Sequence, residues 1–479
     1  MGEQAEITVE RWSSHAVFIL AAIGAAVGIG NIWRFPALLG QYGGGAYLVP
    51  YLIAVFVFAL PLMILEITMG RRFRGTVVSS FGAVRPEFRI LGWLVCAFLF
   101  LILSYYLVIT GWTIGFAVFA AAGTTTSFTD FTGSYLPVLY AVIAVILTGL
   151  VVAAGVKKGI ERISLVMVPV IVLLLVVMVL YCTGLPGFNE GFRFLFTPDF
   201  SALMRADIWV AAFGQAFFSL SVGEGILLTY GSYMAKEQDI PSAAFIISIT
   251  DLCVALLAGL VIFPIVFSYG LSPTAGTELP FTTLPRAFSL LPAGQIVAFA
   301  FFVVLFFAAF TSAVSMLEVC VVSVQEAMGW DRKRTTAVLT GILLLTSLVP
   351  ALSFSAARLS IGGIPVLDLM DETIGTLGLH VAAAVFAIAF TWFSPRQIFT
   401  AENGRETAMD RLVFFLCKYV IPAALIITFF VHLIAGSGIP DATYIAGSHY
   451  LNAWLQSGGL ATFVVGILTM ILIIDRIRK

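Results

Sequence analysis

Charge is what this chain has least of. Of its 479 residues only 11% are Asp, Glu, Lys or Arg, where a soluble globular domain carries about a quarter. Hydrophobic residues make up 60% and the mean hydropathy is +1.06, so there is too little polar side chain to solvate a folded surface. That excludes a soluble enzyme, a nucleic-acid binder and a disordered chain. An excess of one sign is missing too. The 25 basic and 26 acidic residues leave a net charge of −1, which implies no bulk electrostatic partner. The five cysteines, Cys96, Cys182, Cys253, Cys320 and Cys417, lack both ligand spacing and the even count of a disulfide framework. The segment before the first apolar run carries Glu3, Glu6 and Glu10, the opposite of a basic leader start, so no cleaved leader is expected.

What is present is a series of long apolar runs. A bilayer-spanning helix needs about 20 apolar residues. Such windows fall at 13–38, 44–70, 90–122, 136–155, 162–183, 207–235, 242–269, 294–326, 336–354, 367–394, 411–435 and 450–475. The reading is an all-α polytopic membrane protein with about 12 transmembrane helices. With the N-terminus in the cytoplasm, 20 of the 25 basic residues fall on the cytoplasmic side. Only Arg193, Arg205, Arg286 and Arg358 fall on the other, and Arg34 lies inside a span. This bias predicts an inner-membrane protein with both termini cytoplasmic.

Two spans carry the same irregularity. The first contains Gly24, Gly28, Gly30 and Asn31; the sixth contains Ser219, Ser221, Gly223, Glu224 and Gly225. Glycine in a helix interior costs about 1 kcal/mol relative to alanine, and glycines beside polar residues favour unwound backbone. Close helix packing through small residues is the simpler reading of either alone. Breaks at matching places five spans apart point instead to two five-helix repeats, 13–183 and 207–394, with a binding site at their interface. Residues 1–12 then form an N-terminal segment, and 411–475 two peripheral helices.

At these residues the chain resembles the neurotransmitter:sodium symporter family. The motifs are Gly28–Pro36 with its Gly-Ile-Gly-Asn-Ile-Trp-Arg-Phe-Pro, the triplet Gly43–Gly45, Glu66 with Met69-Gly70-Arg71, Tyr105-Tyr106, Lys158–Arg162, Gln215–Ser221, Thr229–Tyr233 and Phe310–Ser312. The fold this implies is an inverted five-helix repeat with broken helices 1 and 6. The substrate it implies is an amino acid whose carboxylate is held at the first break, around Ala26, Ile29 and Gly30, with the Tyr106 hydroxyl. Ile102, Phe218, Ser219, Ser221, Glu224, Ser312 and Met316 would complete the pocket. Two Na⁺ ions are implied. Hard cations take oxygen ligands: one site maps to Ala26, Asn31, Ser219 and Asp251, the other to Gly24, Val27, Ala308, Thr311 and Ser312. The Thr311 and Ser312 hydroxyls could instead bond back to their own helix.

Departures from the family pattern carry information. Asp251 stands where the bacterial leucine transporter has asparagine, and Ala255 lacks the hydroxyl of chloride-dependent relatives, so no chloride requirement is expected; a protonated, hydrogen-bonded aspartate is the alternative reading of Asp251. Glu224 replaces a phenylalanine facing the substrate side chain. Either it selects a basic or polar side chain, or it is turned away and held by neighbours. The resemblance makes Arg34 and Asp371 the outer gate. For the inner gate the family's arginine three residues before Trp12 is absent, and Arg11 with Glu326 is the remaining pairing. The implied function is sodium-coupled symport importing an amino acid by alternating access, in a lipid bilayer and without nucleic acid. A betaine, an omega-amino acid or a large hydrophobic amino acid is the alternative substrate, and a receptor that does not translocate is the alternative of another class. An enzyme is not expected, since Glu66, Asp251 and Glu318 lie on different helices with neither metal cluster nor nucleophile.

Overall fold

The computed structural model describes residues 10–124, 126–235, 238–273, 279–395 and 407–435. A bilayer core offers backbone groups no water, so an apolar run there satisfies them internally as a helix. Nine expected spans are continuous helices: Gly45–Phe73, Pro86–Ala122, Leu136–Ala153, Val156–Cys182, Ile240–Ser268, Gly294–Met328, Arg332–Ser353, Val366–Trp392 and Ala408–Phe429. Two are broken. The first span is His15–Ala26 followed by Gly30–Gln41, bent by 52°. The sixth is Ala206–Ser219 followed by Ile226–Ser232. The twelfth expected span, 450–475, lies outside the described residues. The short helices Val77–Val84, Phe188–Phe196 and Leu284–Leu290 connect spans.

Four matching pairs from the two sets of five touch each other. The first span packs on the sixth, the second on the seventh, the third on the eighth and the fourth on the ninth. Pairing of equals is what a two-fold relation produces. Five crossings also start the second set from the opposite face, which makes the repeat inverted. The first, second, sixth and seventh spans pack together, as do the third, fourth, eighth and ninth, two groups called bodies below, and the first span also packs on the eighth.

Glycine sets how closely the second span meets the far half of the sixth. A methyl on Gly70 would lie 1.9 Å from the carbonyl oxygen of Leu228, and one on Gly231 would lie 2.5 Å from that of Ile67. The two backbones therefore meet reciprocally, the close approach that small residues allow in a bilayer. At the sixth break, Ser221, Gly223 and Gly225 take positive φ values of 51°, 89° and 76°. Only glycine visits this region at little cost. A side chain on Gly223 would also press on Ala383 of the tenth span, 2.9 Å from its Cα.

Candidate transport site

Unwinding leaves the break in the first span with carbonyls that no helical partner takes up. Val27 is extended, with ψ of 98°, and the helix resumes at Gly30. Three carbonyls of the first span, with Ala308 O of the eighth span itself, surround one side chain of the eighth. Ser312 Oγ lies 3.0 Å from the carbonyl oxygen of Ala25, 3.2 Å from Ala308, and 3.5 Å from both Gly24 and Val27. A hydroxyl carries one proton. Ala308 O also accepts from Thr311, and Ala25 O from Ser221, which leaves the Gly24 and Val27 carbonyls, each 3.5 Å from Ser312 Oγ, as the oxygens best placed to take a cation. Thr311 Oγ1 sits beside this cluster and donates back to its own helix, 3.0 Å from Phe307 O and 3.1 Å from Ala308 O.

A second cluster joins the first, sixth and seventh spans. Asn31 Nδ2 donates to Asp251 Oδ1 at 2.7 Å, to the Asp251 carbonyl at 3.1 Å and to Ser219 Oγ at 3.0 Å. Ser219 donates to Asp251 Oδ2 at 2.9 Å, and Asn31 Oδ1 accepts the Gly28 N–H at 3.0 Å. Asp251 is wholly buried. Tyr51 is close enough to interact with it electrostatically, and Ala255 beside it is buried and brings no hydroxyl.

The expected carboxylate end gathers at the first break. The Ile29 N–H donates to the Tyr106 hydroxyl at 3.3 Å. Ser221 Oγ donates to Ala25 O at 3.1 Å, tying one break to the other. A methyl on Gly30 would touch the Phe218 ring at 3.0 Å. Ala26, Ile102, Glu224 and Met316 are buried with the rest, and Phe218 alone of the pocket residues is half-buried. Above the Phe218 ring stands the Arg34 guanidinium, 5.0 Å from its centroid. Asp371, at the start of a π-helical stretch in the tenth span, interacts electrostatically with Arg34.

The opposite end is built differently from the Arg11–Glu326 expectation. Arg11 is exposed, and Glu326 accepts from Thr76 at 2.5 Å. The ion pair that forms joins Arg332 to the fully buried Glu318. Tyr233 donates to the same carboxylate at 2.9 Å, and Glu10 approaches Arg332 at 3.8 Å. The physical reason is reach: Glu318 lies two helical turns deeper than Glu326 and meets Arg332 across the connection between the eighth and ninth spans. Trp12 is buried, its indole N–H donating to Tyr230 O at 2.8 Å.

Two further residues hold the breaks. Gln215 donates to Gly30 O at 2.8 Å and so holds the first break. Glu66, from the second span, accepts the Gly223 N–H at 2.6 Å and so holds the sixth. A glutamate inside an apolar run was the available signal for the latter.

A sequence profile of the sodium:neurotransmitter symporter family matches residues 9–136 and 125–475. The chain belongs to that family. It is 35% identical over 450 residues to YhdH, an uncharacterized sodium-dependent transporter of Bacillus subtilis, covering 90% of this chain and 98% of the relative. An uncharacterized sodium-dependent transporter of Haemophilus influenzae is 32% identical over 450 residues, covering 88% and 98%. Among solved structures, that of MhsT in complex with L-phenylalanine superposes with a TM-score of 0.81 at 36% identity, covering 88% of this chain and 99% of that one. The protein is therefore a multi-pass, sodium-dependent transporter of this family.

Proposed function

We propose that this protein is a sodium-coupled symporter that imports an amino acid by alternating access. The observation that carries the reading is the convergence of three carbonyls of the broken first span, beside Ala308 O, on the single hydroxyl of Ser312. Hard oxygen donors in such number suit Na⁺. The Asn31–Ser219–Asp251 cluster is the proposed first ion site, and the Gly24, Val27, Ala308, Thr311 and Ser312 cluster the second. Sodium is cargo here. The second ion, held by oxygens of the first span in one body and the eighth in the other, ties the substrate-loaded state to one arrangement of the two.

An amino acid fits the pocket because unwound amides at Ile29 and Gly30, with the Tyr106 hydroxyl, suit a carboxylate. The L-phenylalanine in the MhsT complex supports that class. Asp251 supplies fixed negative charge beside the first ion, so chloride is not required. The moving group is the body formed by the first, second, sixth and seventh spans, drawn from repeats 13–183 and 207–394. The Arg34–Asp371 and Arg332–Glu318 ends would open in turn. By the distribution of basic residues the Arg332 end faces the cytoplasm in the cell membrane, as do both termini.

Ligand-induced stabilisation tests the class of substrate. Anything bound only by the folded state raises the melting temperature. The purified protein should be stabilised by at least one amino acid in Na⁺, and not in K⁺ or choline. Equal shifts in Na⁺ and K⁺ would remove the sodium-coupled reading.

A further inference from the structure

Two buried carboxylates flank the break in the sixth span. Glu66 is fully buried; its Oε1 takes the Gly223 N–H, and its Oε2 has no hydrogen-bond partner among the described residues. Glu224 lies inside the break, 2% exposed, and its Oε2 is likewise without a partner there. The two groups interact electrostatically. The field of Glu224 also reaches the hydroxyls of Tyr105 and Tyr106, the latter being the group that takes the Ile29 N–H. A buried charge without a partner is costly, and an ionisable side chain at membrane depth calls for one.

Glu66 belongs to the family motif of the second span, whereas Glu224 departs from the family pattern. Glu224 takes part in none of the ion pairs among the described residues, so an ionised Glu224 would draw its partner from a bound ligand.

We propose that Glu224, backed by Glu66, forms a cation subsite for the substrate side chain, so that the transported amino acid is a basic one. The ammonium of lysine or ornithine, or the guanidinium of arginine, has the donors to satisfy oxygens that the protein leaves unpaired. The inference rests on the sodium-coupled amino-acid reading and deepens it. It also explains why a carboxylate occupies a wall that a purely apolar ligand would need dry and uncharged.

The test is competition binding on the full-length protein in Na⁺, with L-lysine, L-ornithine and L-arginine against norleucine and L-phenylalanine. Basic amino acids should compete at concentrations at least about tenfold below norleucine, the neutral chain of similar length to lysine. Glu224→Gln should weaken lysine on the order of 100-fold while norleucine binds as well as before or better. Glu224→Asp, which keeps the charge, should retain the preference for lysine, and sodium-dependent norleucine binding reports that each variant is folded. If norleucine or phenylalanine outcompetes lysine in the wild type, or if Glu224→Gln leaves lysine unchanged, the subsite is overturned and the two acids share a proton instead. Neutral amino acids binding only in Na⁺ would then leave the symport reading standing. Failure of every amino acid to bind in Na⁺ would remove both.

Discussion

Asp251 shows how much one carboxylate can organise. It accepts from Asn31 of the first span and from Ser219 of the sixth, so the two broken helices meet on a residue of the seventh. Replacing it with asparagine keeps the size and removes the charge. A buried network that loses one acceptor leaves its donors competing, at a cost of about 1–3 kcal/mol per unsatisfied group. Substrate transport by the wild type should therefore persist when chloride is replaced by gluconate. Asp251→Asn should lose most of it, and added chloride should restore a part. Uptake assayed in the two anions decides this. A wild type that stops without chloride would mean that Asp251 is not the resident negative charge. Asp251 was legible from sequence because it departs from a motif. The donors that hold the breaks were harder to see: Gln215 and Gly30 are 185 residues apart, and Glu66 and Gly223 are 157 apart. Which face of a long apolar helix such a residue occupies is settled by packing, which hydropathy does not encode.

At the scale of elements, the second span and the far half of the sixth depend on Gly70 and Gly231. A methyl at Gly70 would meet a backbone oxygen rather than a side chain that could swing away. Overpacking of that kind costs roughly 1–3 kcal/mol. Gly70→Ala should lower the melting temperature by several degrees, whereas Gly341→Ala, where nothing lies within 4 Å of the added methyl, should not. Thermal denaturation in detergent compares them, and equal melting temperatures would show that the two backbones are not so closely joined. The spans themselves were readable from hydropathy alone, because length and apolarity decide them. Their ends were less so. The fifth span begins at Val156 instead of 162, through a π-helical turn in which Lys157 and Lys158 stay exposed. Charge there marked an end in the sequence, while the helix continues with its lysines turned outward. The ion pair of Arg332 with Glu318 was hidden for another reason: Glu326 lies nearer the end of the same span, and only the fold shows that it bonds to Thr76.

Across the whole molecule, pairing of the first span with the sixth through to the fourth with the ninth accompanies two groups of spans, with the oxygen cluster at Ser312 between them. Rocking one body against the other would assemble and disperse those oxygens, and the energy of the sodium gradient would enter there. The central claim is that sodium drives accumulation of an amino acid through the cluster at Ser312. Uptake of a radiolabelled amino acid into proteoliposomes, with an inward Na⁺ gradient, measures it most directly. The account predicts accumulation above the external concentration with the gradient, none in K⁺, and none for the Thr311→Ala, Ser312→Ala double variant despite its reconstitution. Undiminished accumulation by that double variant, or uptake indifferent to Na⁺, would contradict it.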